Sequence, residues 1–221
     1  MELNRSICSR EMQKRDVVDS SGTKVGNIND LTFTFDGTLK LSQFILAGSA
    51  WEEFLEAIKV RPDNDPIFNA SLIEKIGDKI HLNTTGNSLK TTLNDCALSD
   101  SEIRLSDMMK LDIIDENGVK VGRVIDVDFD VDGSASLTVG GGFIEEKLEA
   151  LGLKADIDII VPDKAIVSIG DDIRLGVSKD ELDKTMEEAV KDRSPEARKA
   201  RDDRAVHHDV SKVRLFSQRP F

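Results

Sequence analysis

The chain contains an internal repeat, and a long repeat restricts the possible folds more than any other feature of this sequence. Residues 16–26 (DVVDSSGTKVG) recur as residues 112–122 (DIIDENGVKVG), with matched positions 96 residues apart. After a short gap the match resumes at a separation of 93 residues and ends with 76–80 (IGDKI) against 169–173 (IGDDI). Because the copies are collinear over a whole unit, we predict two copies of one small domain.

Each copy has the pattern of short strands joined by tight turns. Asn117-Gly118 and Asp132-Gly133 are dipeptides typical of hairpin turns, in which glycine takes a positive φ. The alternation within residues 124–131 predicts a strand with two unlike faces. The dry face contains Val127, Phe129 and Val131, and the wet face contains Asp126, Asp128 and Asp130. We therefore expect a mainly β fold with short helices, built from two tandem small β-barrels and a helical and extended C-terminal tail.

The repeat divides the chain into four segments. We place the first domain at residues 1–83, a linker rich in Asn, Thr, Ser and Asp at 84–105, the second domain at 106–177, and a helical and basic tail at 178–221. Each domain should contain one helix, whose apolar stripe in the first copy is Trp51, Phe54, Leu55 and Ile58. The residues from Ser178 to Glu181 form a capping box and predict the start of the tail helix.

The repeated pattern resembles the PRC-barrel domain. The second copy carries the resemblance best, through residues 112–122 and Val161-Pro162-Asp163-Lys164-Ala165-Ile166, whereas the first copy has Asp65-Pro66-Ile67-Phe68 in the latter place. Together the two copies cover roughly residues 6 to 176. The resemblance indicates a fold more strongly than a function, because one fold hosts many activities.

What the resemblance implies is a binding role. PRC-barrels occur in a bacterial ribosome-maturation factor, in the photosynthetic reaction-centre H subunit, and in small archaeal proteins, some of which work with the tubulin-like division ring and its membrane adaptor. This short, acidic chain most resembles the archaeal group, and the family has no characteristic catalytic residues. We expect a non-enzymatic adaptor or scaffold, with archaeal cell-division assembly as the leading hypothesis. The alternatives are a ribosome- or RNA-associated factor of the maturation, assembly or hibernation type, and a metal- or ligand-sensing barrel.

Composition narrows the class of protein further. The net charge of −12 disfavours general nucleic-acid affinity. No apolar run approaches the roughly 20 residues of a membrane helix, and the first residues lack the layout of a signal peptide. We therefore expect a cytoplasmic protein without direct membrane insertion. The two cysteines, Cys8 and Cys96, lack the spacing of a zinc site or a disulfide framework.

Three patterns suggest chemistry, and each has a simpler interpretation. The acidic strand 126–132 suggests a calcium site, but a calcium-binding loop that starts at Asp128 would need its closing glutamate at position 139, where the chain has Val139. The glycines 140–142 lack the Lys-Ser/Thr of a phosphate loop and fit a tight strand-to-helix turn. The adjacent His207 and His208 point apart, which makes joint metal ligation awkward. We expect no catalytic residue, no cofactor and no metal.

The C-terminal tail is where we expect function. From Lys191 onward there are nine basic and five acidic residues, a net charge of +4 that leaves −16 for the rest. Three hypotheses remain open: the tail packs back on its own acidic domains, binds a protein partner as an added strand or helix, or contacts ribosomal or other RNA. A homodimer or a pair with a related PRC-barrel protein is also expected. The candidate partner-binding residues are Arg198, Arg201, Arg204, Arg214, Leu215, Phe216, Arg219 and Phe221.

Overall fold

The computed structural model describes residues 2–48, 51–53, 56, 66–92, 98–151, 157–191 and 211–216. The fold is mainly β, with two curled half-barrel sheets and a few short helices. The predicted fold class is therefore confirmed. Within the described residues, no helix has the length and apolar character needed to cross a membrane.

The first sheet has eight strands. They are β1 (Glu2–Leu3), β3 (Asp16–Val18), β4 (Lys24–Phe35), β5 (Leu39–Ala47), β6 (Ile67–Asn69), β7 (Ile73–Ile76), β8 (Ile80–Leu82) and β9 (Glu102–Arg104). Their order is β1-β7-β8-β3-β4-β5-β6, and β9 pairs separately with β4. The helices that accompany this sheet are α1 (Ser9–Gln13), α2 (Gly86–Thr92) and α3 (Leu105–Met108), with a 3-10 turn at Ala70–Leu72.

The second sheet also has eight strands. They are β2 (Ile7–Cys8), β10 (Asp112–Ile114), β11 (Lys120–Phe129), β12 (Ala135–Gly140), β13 (Ile157–Pro162), β14 (Ile166–Ile169), β15 (Ile173–Leu175) and β16 (Ser211–Arg214). Their order is β14-β15-β10-β11-β12-β13-β16, and β2 pairs separately with β11. The remaining helices are α4 (Gly142–Ala150) and α5 (Lys179–Lys191), with a 3-10 turn at Asp163–Ala165. Six consecutive strands of each sheet have the same order, as expected for two copies of one unit.

The repeated Lys-Val-Gly motif has a steric cause. A Cβ atom on Gly26 would lie 2.9 Å from the carbonyl oxygen of Ala47, and one on Gly122 would lie 2.9 Å from the carbonyl oxygen of Gly140. Real Cβ atoms essentially never approach a backbone atom this closely. Each glycine therefore lets its strand cross the end of the next strand at the same point of the two sheets.

The repeated hairpin aspartates join each first turn to a later helix. Asp115 accepts hydrogen bonds from the backbone nitrogens of Asn117 (2.9 Å) and Val119 (2.7 Å) through Oδ1. Its Oδ2 accepts from the nitrogen of Lys179 at 2.9 Å, at the start of α5. Asp19 does the same in the first copy, with Gly86 at the start of α2. A carboxylate at a helix N-terminus stabilises the orphan backbone donors there.

The chain forms two compact units that do not follow the repeat boundaries. Unit 1 consists of Met1–Met108 with Asp126–Ala135, and unit 2 consists of Met109–Ile125 with Ser136–Phe221. The tip of the second copy's hairpin thus belongs to unit 1. Within the stretch 84–105, where the sequence analysis places a linker, the structure has α2 and β9.

Each unit has its own buried core. The largest fully buried side chains of unit 1 include Met12, Leu31, Phe33, Phe44, Phe68 and Phe129. The core of unit 2 contains Ile113, Leu137, Ile144, Ile159, Leu182 and Met186. Of the helical stripe predicted in the first copy, Trp51 is buried, and Phe54, Leu55 and Ile58 lie outside the described residues.

Candidate functional site

Two short strands in unit 1 are added across the repeats. β2, from the start of the first copy, pairs with β11 so that Cys8 lies opposite Asp128. β9, at the start of the second copy, pairs with β4 so that Arg104 lies opposite Thr32. All four residues keep the separation of 96, so the two pairings are equivalent. The first segment of each copy therefore completes the hairpin of the other copy.

A buried carboxylate stabilises each of the two exchanged segments, which are β2 with α1 and β9 with α3. Asp30 accepts hydrogen bonds from the hydroxyl of Ser106 at 2.6 Å and from its backbone nitrogen at 3.3 Å, at the start of α3. Asp126, its equivalent, accepts from the hydroxyl of Ser9 and from the backbone nitrogen of Arg10 at 3.3 Å, at the start of α1. Each short helix therefore has a carboxylate of the other copy at its N-terminus. A negative charge at this end stabilises a helix, because it interacts with the unpaired backbone N–H groups there.

The acidic strand does not have the wet face expected from its sequence. Asp126 and Asp128 are only 7% and 2% exposed, whereas Val131 is 59% exposed. The prediction of one wet and one dry face is wrong: α1 contacts Asp126 through Ser9 and Arg10, and β2 pairs beside the strand at Asp128. Asp130 is half-buried, and the hydroxyl of Ser6 donates to it at 2.9 Å. These carboxylates therefore hold the N-terminal segment in place.

A metal ion has no ready-made cluster in the described part of the chain. No group of three or more His, Cys, Asp or Glu side chains is placed to hold one there. His81 is exposed, while His207 and His208 lie outside the described residues. At the glycines 140–142, positive φ angles of 72° at Gly141 and 54° at Gly142 lead directly into α4, which confirms the predicted tight turn.

Cys8 lies among the exchanged elements and is a poor nucleophile. Burial, followed by the nearby charge of Asp126, raises the pKa of its thiol to about 11. Since the thiolate is the reactive form, this cysteine is almost entirely in the unreactive thiol form near neutral pH. The surroundings of Cys8 therefore favour a structural role for this cysteine over a reactive one.

The C-terminal strand β16 lies along the outer edge of β13. The two strands are parallel, with Ile157 opposite Ser211 and Ile160 opposite Arg214. The backbone nitrogen of Leu215 extends the ladder by donating to the carbonyl of Ile160 at 2.9 Å. This strand is a further case, after β2 and β9, in which a segment distant in sequence adds to a strand of a sheet.

Three apolar side chains anchor the C-terminal strand. Val213, Leu215 and Phe216 are 2%, 0% and 5% exposed. Phe216 has a φ of 56°, in the left-handed region that is costly for a bulky residue. Burying three such side chains contributes about 5–9 kcal/mol, and ordering six residues costs roughly 6–12 kcal/mol. Because these magnitudes nearly cancel, backbone hydrogen bonds decide whether the strand stays docked.

The structure divides the predicted partner-binding residues into two groups. Arg214 is half-buried, and Leu215 and Phe216 are buried within unit 2, which favours the hypothesis that this part of the tail packs on its own domain. In this state Leu215 and Phe216 are covered and do not face a partner. The remaining members lie outside the described residues: Arg198, Arg201, Arg204, Arg219 and Phe221.

Helix α5 contacts the strand β16 that follows it and also has anchors elsewhere in unit 2. Its N-terminus is capped by the hydroxyl of Ser178, which accepts from the nitrogen of Glu181 at 3.2 Å, as the capping box predicts. Lys147 of α4 contacts Asp183 at 2.6 Å and Glu187 at 2.7 Å. Leu182 and Met186 of this helix are also fully buried. The helix therefore has its own polar and apolar anchors within unit 2.

An open cleft in unit 1 escaped the sequence analysis. It has a volume of about 570 Å³ and lies beside the parallel pair β1 and β7. Its lining mixes charges of both signs: Glu2, Glu74, Lys75, Asp78 and Lys79, with Asn4 and His81. No motif marks these residues, because β1 joins the sheet only through a pairing distant in sequence.

The comparison with known families gives one match, in the second half of the chain. Residues 100–182 match the family model of the PRC-barrel domain. The matched segment begins just before β9, contains β10 to β15, and ends in the first turn of α5. No curated protein matches the chain.

Proposed function

We propose that this chain is a non-enzymatic protein-interaction adaptor that binds partners by strand addition. One observation carries the proposal: β4, β11 and β13 each accept a short extended segment from a distant part of the chain. In strand addition, main-chain hydrogen bonds supply affinity, and pockets for alternate side chains supply specificity. A barrel that repeatedly accepts extended segments has the surface chemistry that such a partner needs.

The polar contacts of the described residues support the same proposal. Asp30 and Asp126 hold the exchanged helices, and Asp19 and Asp115 hold the hairpin turns. These carboxylates therefore act as structural acceptors in the hydrogen-bond network. Carboxylates that stabilise helices and turns in this way support a scaffold role for the protein.

The cellular role that we propose rests on the resemblance to the small archaeal proteins. In that role the chain works in the cytoplasm, in cell-division assembly, as a homodimer or beside a related PRC-barrel protein. Proteins of the division ring or its membrane adaptor are then the expected partners. The contact is made through protein surfaces and without direct membrane insertion.

The principal alternative is a ribosome- or RNA-associated factor that uses the tail. The net charge of +4 from Lys191 onward favours it, but this charge is unevenly distributed along the segment. Residues 192–210, between α5 and β16, contain five basic and five acidic side chains. The excess therefore comes from Lys191, Lys212, Arg214 and Arg219. A backbone of phosphates would have to be held mainly by residues at the ends of the tail.

Affinity purification from native lysate tests the proposal. The full chain is compared with a chain lacking residues 194–221, each with and without nuclease, and Lys164→Ala, at an exposed basic residue outside the tail, serves as a full-length control. Protein partners that survive nuclease are expected, with division-ring or membrane-adaptor proteins among them. Recovery of RNA alone, lost both with nuclease and with the deletion, would establish the ribosomal alternative instead.

The third alternative, a metal-sensing barrel, has a separate test. A melting temperature that rises with calcium, and no longer does so in the Asp128→Asn, Asp130→Asn double variant, would support it. Magnesium at the same concentration is the control for a general effect of ionic strength. Equal melting temperatures with and without calcium would remove this alternative.

A further inference from the structure

We propose that the outer edge of β13 is the partner-binding strand of this protein, and that its own C-terminal strand β16 is a self-ligand that a partner segment replaces. The inference rests on the proposed function and names the site and the class of partner. The partner is an extended peptide segment with apolar side chains at alternate positions, cations between them and an aromatic residue next. This description of the partner follows from the sequence of β16, which occupies the edge in the structure.

The occupied edge shows what a ligand must supply. Val213 and Leu215 point inward at alternate positions of the strand and are buried, and Phe216 follows them. Lys212 and Arg214 alternate with these anchors and are half-buried. A segment that lacks the two inward apolar groups would leave the same cavity unfilled.

Charge favours the same class of partner. The edge carries the acidic Asp158, which lies opposite Lys212 in the ladder. Residues 1–190 have a net charge of −16. A cationic extended segment is therefore attracted to this acidic domain, whereas an acidic segment is repelled.

The self-ligand can leave without dismantling unit 2. β13 keeps its antiparallel ladder with β12, from Ser136 opposite Pro162 to Val139 opposite Ile159. Helix α5 contacts β16, but it also keeps its ion pairs with Lys147 and its cap at Ser178. The positive φ of Phe216 is relieved when the strand leaves. The polar anchors of α5 lie outside β16, so that they hold the helix on α4 when the strand is released.

A tethered self-ligand sets a threshold for the partner. A self-ligand belongs to the same chain as its site, so it binds intramolecularly and competes at an effective local concentration that does not depend on the concentration of the protein. The partner's apparent dissociation constant is raised by the fraction of time for which the edge is covered. Only a segment that fits the edge well, or is itself presented at high local concentration, displaces β16.

A peptide-binding experiment on the full chain tests the inference. The probe is a fluorescent peptide with the sequence of residues 209–221, and the control peptide carries aspartate at the positions of Leu215 and Phe216. Binding to the wild-type chain is compared with binding to the Leu215→Asp, Phe216→Ser variant, whose own strand is released. We expect the released variant to bind the probe at least tenfold more tightly than wild type, and neither to bind the control peptide. Equal affinities for the probe would overturn the inference.

A disulfide lock keeps the test decisive where the released variant fails to fold. Asp158→Cys and Lys212→Cys, in a Cys96→Ser background, place two thiols on partnered positions of neighbouring strands. The oxidised protein should not bind the probe, and reduction should restore binding. If the oxidised and reduced forms bind it equally, the edge is not the site. If the oxidised form still captures the lysate partners of wild type, the adaptor function stands and this edge is not where it acts.

Discussion

Phe33 and Phe129, which occupy the same position in the two copies of the repeat, stack on each other with ring centroids 6.0 Å apart and an interplanar angle of 19°. Both side chains are fully buried in unit 1. Each ring is therefore part of a core to which both copies contribute. The contact joins equivalent positions of the two hairpins within unit 1.

The stacked pair should couple the stabilities of the two copies. We expect Phe33→Ala and Phe129→Ala each to lower the free energy of unfolding by about 3–5 kcal/mol. Since the rings touch, the double variant should lose less than the sum, with a coupling energy of about 0.5–1.5 kcal/mol. Urea unfolding measures all three variants. The exposed Val131→Ala is the control and should change stability by less than about 0.5 kcal/mol, and full additivity of the two phenylalanine variants would contradict the prediction.

The carboxylate of Asp30 should be coupled to the hydroxyl of Ser106. Asp30→Ala leaves the start of α3 without its acceptor and should cost about 1–3 kcal/mol. Ser106→Ala should cost about 1 kcal/mol, and in the Asp30→Ala background nearly nothing. A thermodynamic cycle by chemical denaturation gives the coupling, with the exposed Ser168→Ala as control. Equal effects of Ser106→Ala in both backgrounds would show that the hydrogen bond contributes nothing.

Acid should remove part of the stability supplied by Asp115. Burial alone would raise the pKa of its carboxyl, but hydrogen bonds from the backbone of Lys179, Val119 and Asn117 outweigh burial and hold the pKa below its usual value. A carboxyl with a lowered pKa stabilises the fold above its unfolded pKa of about 3.9 and loses that contribution as pH falls through the folded value.

The measurement compares wild type with Asp115→Asn at several pH values. At pH 7 the variant should be less stable by about 1–3 kcal/mol, and the two should converge progressively as the pH falls from about 4 through the lowered folded pKa. The exposed neighbour Glu116→Gln is the control and should follow wild type throughout. A stability difference that stays constant from pH 7 to pH 2 would rule out this account.

Cys8 should react with thiol reagents only when the N-terminal segment detaches. With a pKa of about 11, roughly 0.1% of the thiol is ionised at pH 8. In a Cys96→Ser chain, we expect slow labelling of the native protein and rapid labelling in denaturant. Asp126→Asn removes a charge that raises this pKa and loosens the segment, so labelling should accelerate. Rapid labelling of the native wild-type thiol would mean that the segment is not held as described.

The local features of the fold could be predicted from the sequence, but the segments that pack on them could not. The collinear repeat predicts the shared strand order, and Asp115 with Gly118 predicts a turn, because each depends on neighbours in sequence. The burial of Asp126 and Asp128 was not predictable in this way. Alternation shows that a strand has two faces, but it does not show which segment packs on either one.

The exchanged segments have the same limitation. The separation of 96 residues between Cys8 and Arg104 is the same whether each pairs within its own copy or with the other. The alternation of Val213 and Leu215 likewise indicates two buried positions but not the strand beside them. Only the ladder with β13 identifies that strand. Long-range pairing is thus the part of the candidate site that the sequence leaves open.

The cross-repeat strands also affect how the protein is made. Ile7 and Cys8 find their strand partners at Phe129 and Asp128, about 120 residues later in the chain. At 5–20 residues per second, the ribosome needs roughly 6–24 s to reach them. During this interval β2 lacks the strand with which it pairs. β2 of one nascent chain can then pair with β4 of a neighbouring nascent chain, because β4 is the equivalent of β11 in the first copy. Slow translation between the two copies favours such mispairing.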